Sequence, residues 1–397
     1  MVKYSLPILF IAVELQMNPF RFGQAVSGDD FADRKSEVET IMRDLKSGQN
    51  VLIHSPRRYG KTSLIKEVFR RLSKEGQPTV YLDLYRVFSK KRFIEIYSGL
   101  LFSAAETRLE EAGRLLREHL PRPRITFSPE GSPMPFTVEI DASLPKKEED
   151  QIFQEMLEAP QKLAEKKKKR FHVAFDEFQE ITRLDGHEVE STMRSVFQHQ
   201  SQVSYAFLGS RRKLLQEIFN DKGRPFYKSC KSIPLEEIPE TEFAEFLFSR
   251  FKNGDLNVPR GIVSRILQTT QCHPYYTQQL CHEAWNLAYP TKTSLPENEW
   301  VAILDRAVEG VITANQYAYE EIYSGLTDSQ RKLAYALSAQ PTQKIYAAEY
   351  VRRFGLRSAP NVAKALHALE EKELVEKTSQ GYRVSDIFFA QWLTKIE

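Results

Sequence analysis

The chain has 397 residues, 41% of them apolar and 27% charged, with a net charge of +3. That length is long for one core and predicts two or three globular domains, while so small a charge gives no bulk argument for nucleic acid or an anionic membrane as partner. Three cysteines, Cys230, Cys272 and Cys281, stand in no C-x-x-C pair, which fits a reducing cytoplasm better than a disulfide framework, and no Cys/His cluster suggests a structural metal.

In chain order, "YSLPILFIAVELQ" (4–16) carries an apolar run too short to span a bilayer and lacks an A-x-A cleavage site. Met17 follows at once, so 1–16 reads as a non-native or flexible extension, with a real extra strand or anchor as the alternative, and no membrane association is expected. A helix is predicted from about Asp33, with acids early and Lys46 late, as the helix dipole prefers.

The stretch "VLIHSPRRYGKTSLIKEVF" (51–69) then reads as a buried strand, a loop and a helix. It matches the phosphate-binding pattern G-x-x-x-x-G-K-[ST] except that Ser55 stands at the first glycine. Pro56 biases Ser55 toward an extended backbone that serine tolerates, so the loop is expected to be intact. Its residues Ser55, Pro56, Arg57, Arg58, Tyr59, Gly60 and Ser63 would then line the bound nucleotide, with the backbone amides that matter most around Arg58 to Thr62, while Lys61 would reach the β- and γ-phosphates and the Thr62 hydroxyl would ligate Mg²⁺. A chance strand-turn-helix with a lysine is the alternative.

Downstream, "TVYLDLYRV" (79–87) is a second strand, a helical tract runs from about Arg92 to Leu120, and a solvent-facing β-hairpin is predicted at about 121–146. A helix from about Lys147 ends in the cationic run Lys166 to Arg170, read as a basic helix end rather than a nucleic-acid contact. The run "FHVAFDEFQEI" (171–181) reads as a buried strand ending in adjacent acids. At the carboxyl edge of a parallel sheet, Asp176 would hold Mg²⁺ and Glu177 would polarise an attacking water; capping of the next helix is the plainer role. "VSYAFLGSRRKLL" (203–215) adds another strand, and one of Ser210, Arg211 and Arg212 is a candidate to sense a γ-phosphate, solvated arginines at a turn being equally compatible. After a short strand in 230–238, residues 240–320 are helical in pattern.

From Thr327 the chain reads as a winged helix: a capping box, three short helices and a hairpin wing, with 11 Lys and Arg against 8 Asp and Glu. Arg352, Arg353, Arg357 and Lys364 are candidate DNA contacts, but so mild a charge favours a packing or regulatory module.

The motifs "SPRRYGKTSL", "AFDEFQEI", "FLGSRRKLL" and "CHPYYTQQL" together resemble the archaeal-type branch of the STAND class of AAA+-related P-loop ATPases, over roughly 17–397. That resemblance implies an α/β P-loop NTPase domain with a parallel AAA+-like sheet (17–238), a helical lid (239–325) and a winged helix (326–397). It also implies that residues near Phe20 to Phe22 and the Asp33-Arg34 turn border the adenine, and that His273 and Pro274 sense nucleotide, although Cys272 stands where the class has glycine. Members work as ATP-driven switches, so low-turnover ATP hydrolysis to ADP, a homo-oligomer in the ATP state and a protein partner are expected. A DNA-binding AAA+ initiator or loader is the alternative.

Overall fold

The computed structural model describes residues 17–32, 34–105, 114, 124–127, 136–141, 143–184, 187–291, 295–378 and 380–396. The expectations for 1–16, for Asp33 and for the tract beyond Ala105 lie outside these residues, apart from a helical backbone at Arg114. The described chain falls into two compact units, one of Gly23–Glu242 with His273–Tyr275, the other of the remaining residues.

In the first unit, α1 (Lys35–Lys46) leads to β1 (Val51–His54), α2 (Lys61–Lys74), β2 (Thr79–Asp83) and α3 (Lys90–Ala105). After the antiparallel hairpin β3 (Arg124–Phe127) and β4 (Phe136–Glu139) come α4 (Lys146–Lys167), β5 (Phe171–Asp176), α5 (His187–Phe197), β6 (Val203–Gly209), α6 (Arg212–Asn220) and β7 (Lys231–Pro234). Five of these strands form one parallel sheet in the order β2-β5-β6-β1-β7.

Every residue of β5 and β6 is buried, as expected for a parallel sheet covered on both faces. The two-residue strand period sorts their side chains by size: Phe175, Tyr205 and Phe207 join the aromatic core on one face, while Ala174 and Ala206 pack with α1 and α2 on the other. α1 supplies Val38, Ile41 and Leu45 to that second face at helical spacing.

Two expectations need correction. The hairpin is not simply solvent-facing, because Val138 and the following Ile140 are buried in the aromatic core and Glu95 of α3 accepts from the Ile140 amide at 3.3 Å. The strand of the acid pair stops at Asp176, where Glu177 turns left-handed (φ 49°, ψ 48°) into a 3₁₀ turn, Phe178–Arg183. The cationic run closes α4, with Lys168 at its left-handed C-cap and Arg170 donating to the Ser201 carbonyl at 2.9 Å.

The second unit draws on α7 (Glu240–Asn253), α8 (Arg260–Thr270), α9 (Pro274–Ala288) and α10 (Glu297–Ser324). Its last part is a winged helix: α11 (Asp328–Ala339), α12 (Ala348–Arg353), α13 (Ala359–Glu371), the wing β8 (Val375–Thr378) and β9 (Gly381–Val384), and α14 (Ile387–Ile396). The Thr327/Gln330 capping box is formed, and Val362, Leu366 and Leu369 are the buried stripe of α13. No described helix is long and apolar enough to cross a membrane.

Candidate functional site at the carboxyl edge of the sheet

The loop between β1 and α2 carries left-handed backbone at Arg58 (φ 66°) and Gly60 (φ 87°), the kind of turn that gathers amide groups into an anion-binding concavity. Gly60 meets that torsion without steric cost, and the Gly60 carbonyl accepts the first α2 hydrogen bond from Leu64 at 2.8 Å. Ser55 is buried, and the ammonium of Lys61 folds back onto it, donating to Ser55 O at 2.9 Å, Ser55 Oγ at 3.2 Å and Pro56 O at 2.9 Å. Arg57 and Arg58 are exposed. The Ser63 hydroxyl accepts from the Val26 amide at 3.1 Å, and buried Glu67 accepts from the Gly28 amide at 3.0 Å. Burial alone would raise the Glu67 carboxyl, but Arg70, the Gly28 amide and Arg71 outweigh it and hold it down at about 2. These contacts fasten the lead-in segment to α2.

β6 lies between β1 and β5, yet the loop and the acid pair meet: Thr62 Oγ1 donates to Asp176 Oδ2 at 2.6 Å. Tyr81 on β2 donates to the same oxygen at 2.7 Å, and the Glu177 amide donates to Oδ1 at 2.9 Å. Burial and the neighbouring Asp176 both push the Tyr81 phenol up, so it remains a donor. In register with Asp176 stands Asp83, raised by burial against the Tyr85 amide it accepts from, with Asp176 and Glu177 adding to the rise.

Glu177 Oε2 accepts from Ser210 Oγ at 3.0 Å and from Gln179 Nε2 at 2.5 Å. Of the three γ-phosphate candidates, Ser210 is thus engaged with Glu177, Arg211 approaches Glu180 at 4.0 Å, and the Arg212 side chain lies outside the described residues. Sequence reasoning missed Tyr81 and Gln179. The signal for Tyr81 was its two-residue spacing from Asp83 at the end of β2, which puts both on one face.

A second group forms behind the loop. Tyr59 is buried with its ring edge-on to His273, centroids 4.6 Å apart, and Arg58 lies over the Tyr275 ring at 4.6 Å. His273 Nδ1 accepts from the Tyr275 amide at 3.2 Å, and Pro274 is the first residue of α9. Cys272 adopts the left-handed backbone (φ 54°) that a glycine would take there without strain. Arg34 is buried and donates to Tyr59 O at 3.3 Å, Glu236 O at 2.7 Å and Glu37 at 3.0 Å. Its guanidinium therefore braces the loop. Phe20 and Phe22 fall in the other unit, where Phe20 packs on Phe251 (4.6 Å) and Phe22 on His282 (5.3 Å).

The donor set at the sheet edge fits Mg²⁺. A hydroxyl and a carboxylate converge there, and this cation takes oxygen ligands, is held by one or two protein groups and completes its shell with substrate phosphates and water. Among the described residues no cluster of three or more His, Cys, Asp or Glu offers an all-protein metal cage.

A parallel sheet with a phosphate loop after one strand and an acid pair at the tip of another defines a P-loop ATPase fold. The chain belongs to the family described as "ATPase domain predominantly from Archaea", matched over residues 31–253, and residues 317–395 match a "probable winged helix domain". Among solved structures it is similar to the Walker-type ATPase of Pyrococcus abyssi, at 16% identity and a TM-score of 0.64, covering 94% of this chain and 99% of that one. It is also similar to the ORC2 protein of Aeropyrum pernix in its ADPNP-ADP complexes, at 16% identity and a TM-score of 0.54, covering 92% and 93%. At such identity these likenesses speak to the fold. A comparison with curated proteins found no match.

Proposed function

We propose that the chain binds ATP with Mg²⁺, hydrolyses it slowly, and works as a STAND-type switch, with an ATPase domain (17–238), a helical lid (239–325) and a winged-helix domain (326–397). The observation that carries this reading is the Thr62 hydroxyl bonded to Asp176 at 2.6 Å, with Glu177 next in the chain and Lys61 one residue before. Bound Mg²⁺ would be held by Thr62 and Asp176 and would neutralise charge on the β- and γ-phosphate oxygens. Lys61 would exchange its loop carbonyls for those phosphates, the loop amides would stabilise charge developing on the transferred group, and Glu177 would orient and polarise the water for in-line attack. Family membership and the ADPNP-ADP complexes of the ORC2 likeness support nucleotide as the ligand. The reading takes the protein to be cytoplasmic, with a protein partner and a homo-oligomer in the ATP state.

The test is size analysis of wild type and Glu177→Gln with ADP and with ATP, alongside ADP release. Hydrolysis by the variant should fall by roughly 10²- to 10⁴-fold while binding survives. An ATP-loaded variant should then populate a shape or assembly that the ADP form lacks, because only differential affinity for two states can shift them. Unchanged turnover removes Glu177 from the chemistry; identical ATP and ADP forms leave an ATPase without a switch.

A DNA-binding initiator or loader is the second reading, favoured by the exposure of Arg352, Arg353, Arg357 and Lys364 on α12 and α13 and the turn between them. Duplex affinity falling steeply with salt would support it.

A further inference from the structure

Glu177 is held in a way that its own role does not require. Its backbone is left-handed (φ 49°), which an isolated glutamate avoids and which persists only where surrounding contacts over-determine it. Two donors from different segments, Gln179 in the following turn and Ser210 just past β6, converge on one oxygen, Oε2, at 2.5 and 3.0 Å. Oε1 receives no hydrogen bond among those of the described residues.

Gln179 is 2% exposed, and its other amide atom, Oε1, is buried with no hydrogen-bond partner. Burying an unpartnered carbonyl is unfavourable, and a methionine of the same length would fill the space without that penalty. The amide also needs room made elsewhere. Gly209, at the end of β6, has no Cβ, and one built there would overlap Gln179 Oε1. A glycine, a buried amide and a serine thus form a cradle whose one evident product is the fixed carboxylate.

We propose that Gln179 and Ser210 are positioning residues that anchor Glu177 through Oε2 and so reserve Oε1 for the attacking water. The proposal rests on the reading of Glu177 as the group that orients that water. Its physical basis is that a carboxylate free to rotate would present the correct lone pair only part of the time, and small misplacements in such sites have large kinetic effects.

The test uses the full chain with ATP and Mg²⁺, measuring single-turnover hydrolysis, nucleotide Kd and thermal midpoint for Gln179→Met, Ser210→Ala and Glu177→Gln. Gln179→Met should lower the hydrolysis rate about ten- to hundred-fold, with Kd within about twofold and a thermal midpoint equal to or above wild type. A merely structural role for the amide would lower the midpoint together with the rate. Ser210→Ala should also slow hydrolysis at unchanged Kd; a weakened ATP affinity instead would make Ser210 a phosphate contact and overturn its part. Should Glu177→Gln hydrolyse normally, the underlying reading fails and the proposal with it. If Glu177→Gln is inactive while Gln179→Met runs at or above the wild-type rate, the positioning role alone is overturned.

Discussion

Lys61 is bonded to Ser55 twice, its ammonium donating to the Ser55 carbonyl at 2.9 Å and to the Ser55 hydroxyl at 3.2 Å. The residue standing in place of the loop's first glycine is therefore a partner of the lysine, and the second bond is one that glycine could not make. Ser55→Gly should remove that hydroxyl bond and change ATP affinity by less than about tenfold, or ~1.4 kcal/mol. Nucleotide titration checks this, and a larger gain would mean that Ser55 restrains Lys61 from the phosphates.

Lys61→Ala should abolish tight ATP binding, by more than about 100-fold, while circular dichroism shows the fold retained. Lys61 is buried and holds the Ser55 and Pro56 carbonyls, so its thermal midpoint should also fall modestly. Full affinity in this variant would remove the loop from the binding site.

Tyr81→Phe deletes one donor to Asp176 without changing shape. We expect the Mg²⁺ concentration needed for half-maximal ATP binding to change by roughly two- to tenfold, the worth of about one hydrogen bond, with Mg²⁺-free binding unaltered. An unchanged Mg²⁺ dependence would show that Tyr81 only packs against the sheet.

His172 on β5 is fully buried between Ser204, at 2.7 Å from Nδ1, and Gln77, and burial, with Arg170 and Lys46 adding, pushes its imidazole down to about 4. The folded state keeps it neutral where an unfolded histidine, near 6.5, takes a proton. Stability is therefore untouched above pH 6.5 and falls as pH drops from 6.5 toward 4, by roughly 3 kcal/mol at full extent. Thermal midpoints between pH 7 and 4.5 should fall less steeply for His172→Gln than for wild type; parallel slopes would sink the assignment.

On the wing, Arg383 and Glu376 are both buried and paired at 2.7 Å, with Arg383 also donating to Gln271. Arg383→Ala strands the carboxylate and should destabilise its unit by about 3–5 kcal/mol, whereas Arg383→Met with Glu376→Leu should be close to neutral. Denaturant midpoints compare the two. Equal losses would mean that packing of the Arg383 stem, rather than charge, holds the wing.

What was legible in the sequence lay in contiguous stretches. Val51 to Phe69 announces strand, loop and helix because residue periodicity and the glycine-lysine-threonine run are local properties, and Phe171 to Glu177 does the same for a buried strand with acids at its tip. The winged helix was readable from the Thr327/Gln330 box and the α13 stripe for the same reason. The burial of the β4 end was not readable, since Val138 and Ile140 alternate with polar residues as an exposed hairpin would, and it is tertiary packing into the aromatic core, with Glu95 of α3 accepting from the Ile140 amide, that covers them.

The sequence alone therefore determined the fold class and the types of residue carried by the phosphate loop and the acid pair, through propensity, periodicity and chemistry acting within a few residues. The tertiary structure decided which groups meet. Tyr81, Asp176, Ser210 and Thr62 come from four elements or their ends, and they converge because the sheet orders its strands β2-β5-β6-β1, a sequence of neighbours that no local pattern encodes. A hydrogen bond depends on ångström-scale placement of both partners, and across a sheet that placement is set by strand order and register, which form only when distant parts of the chain pack together.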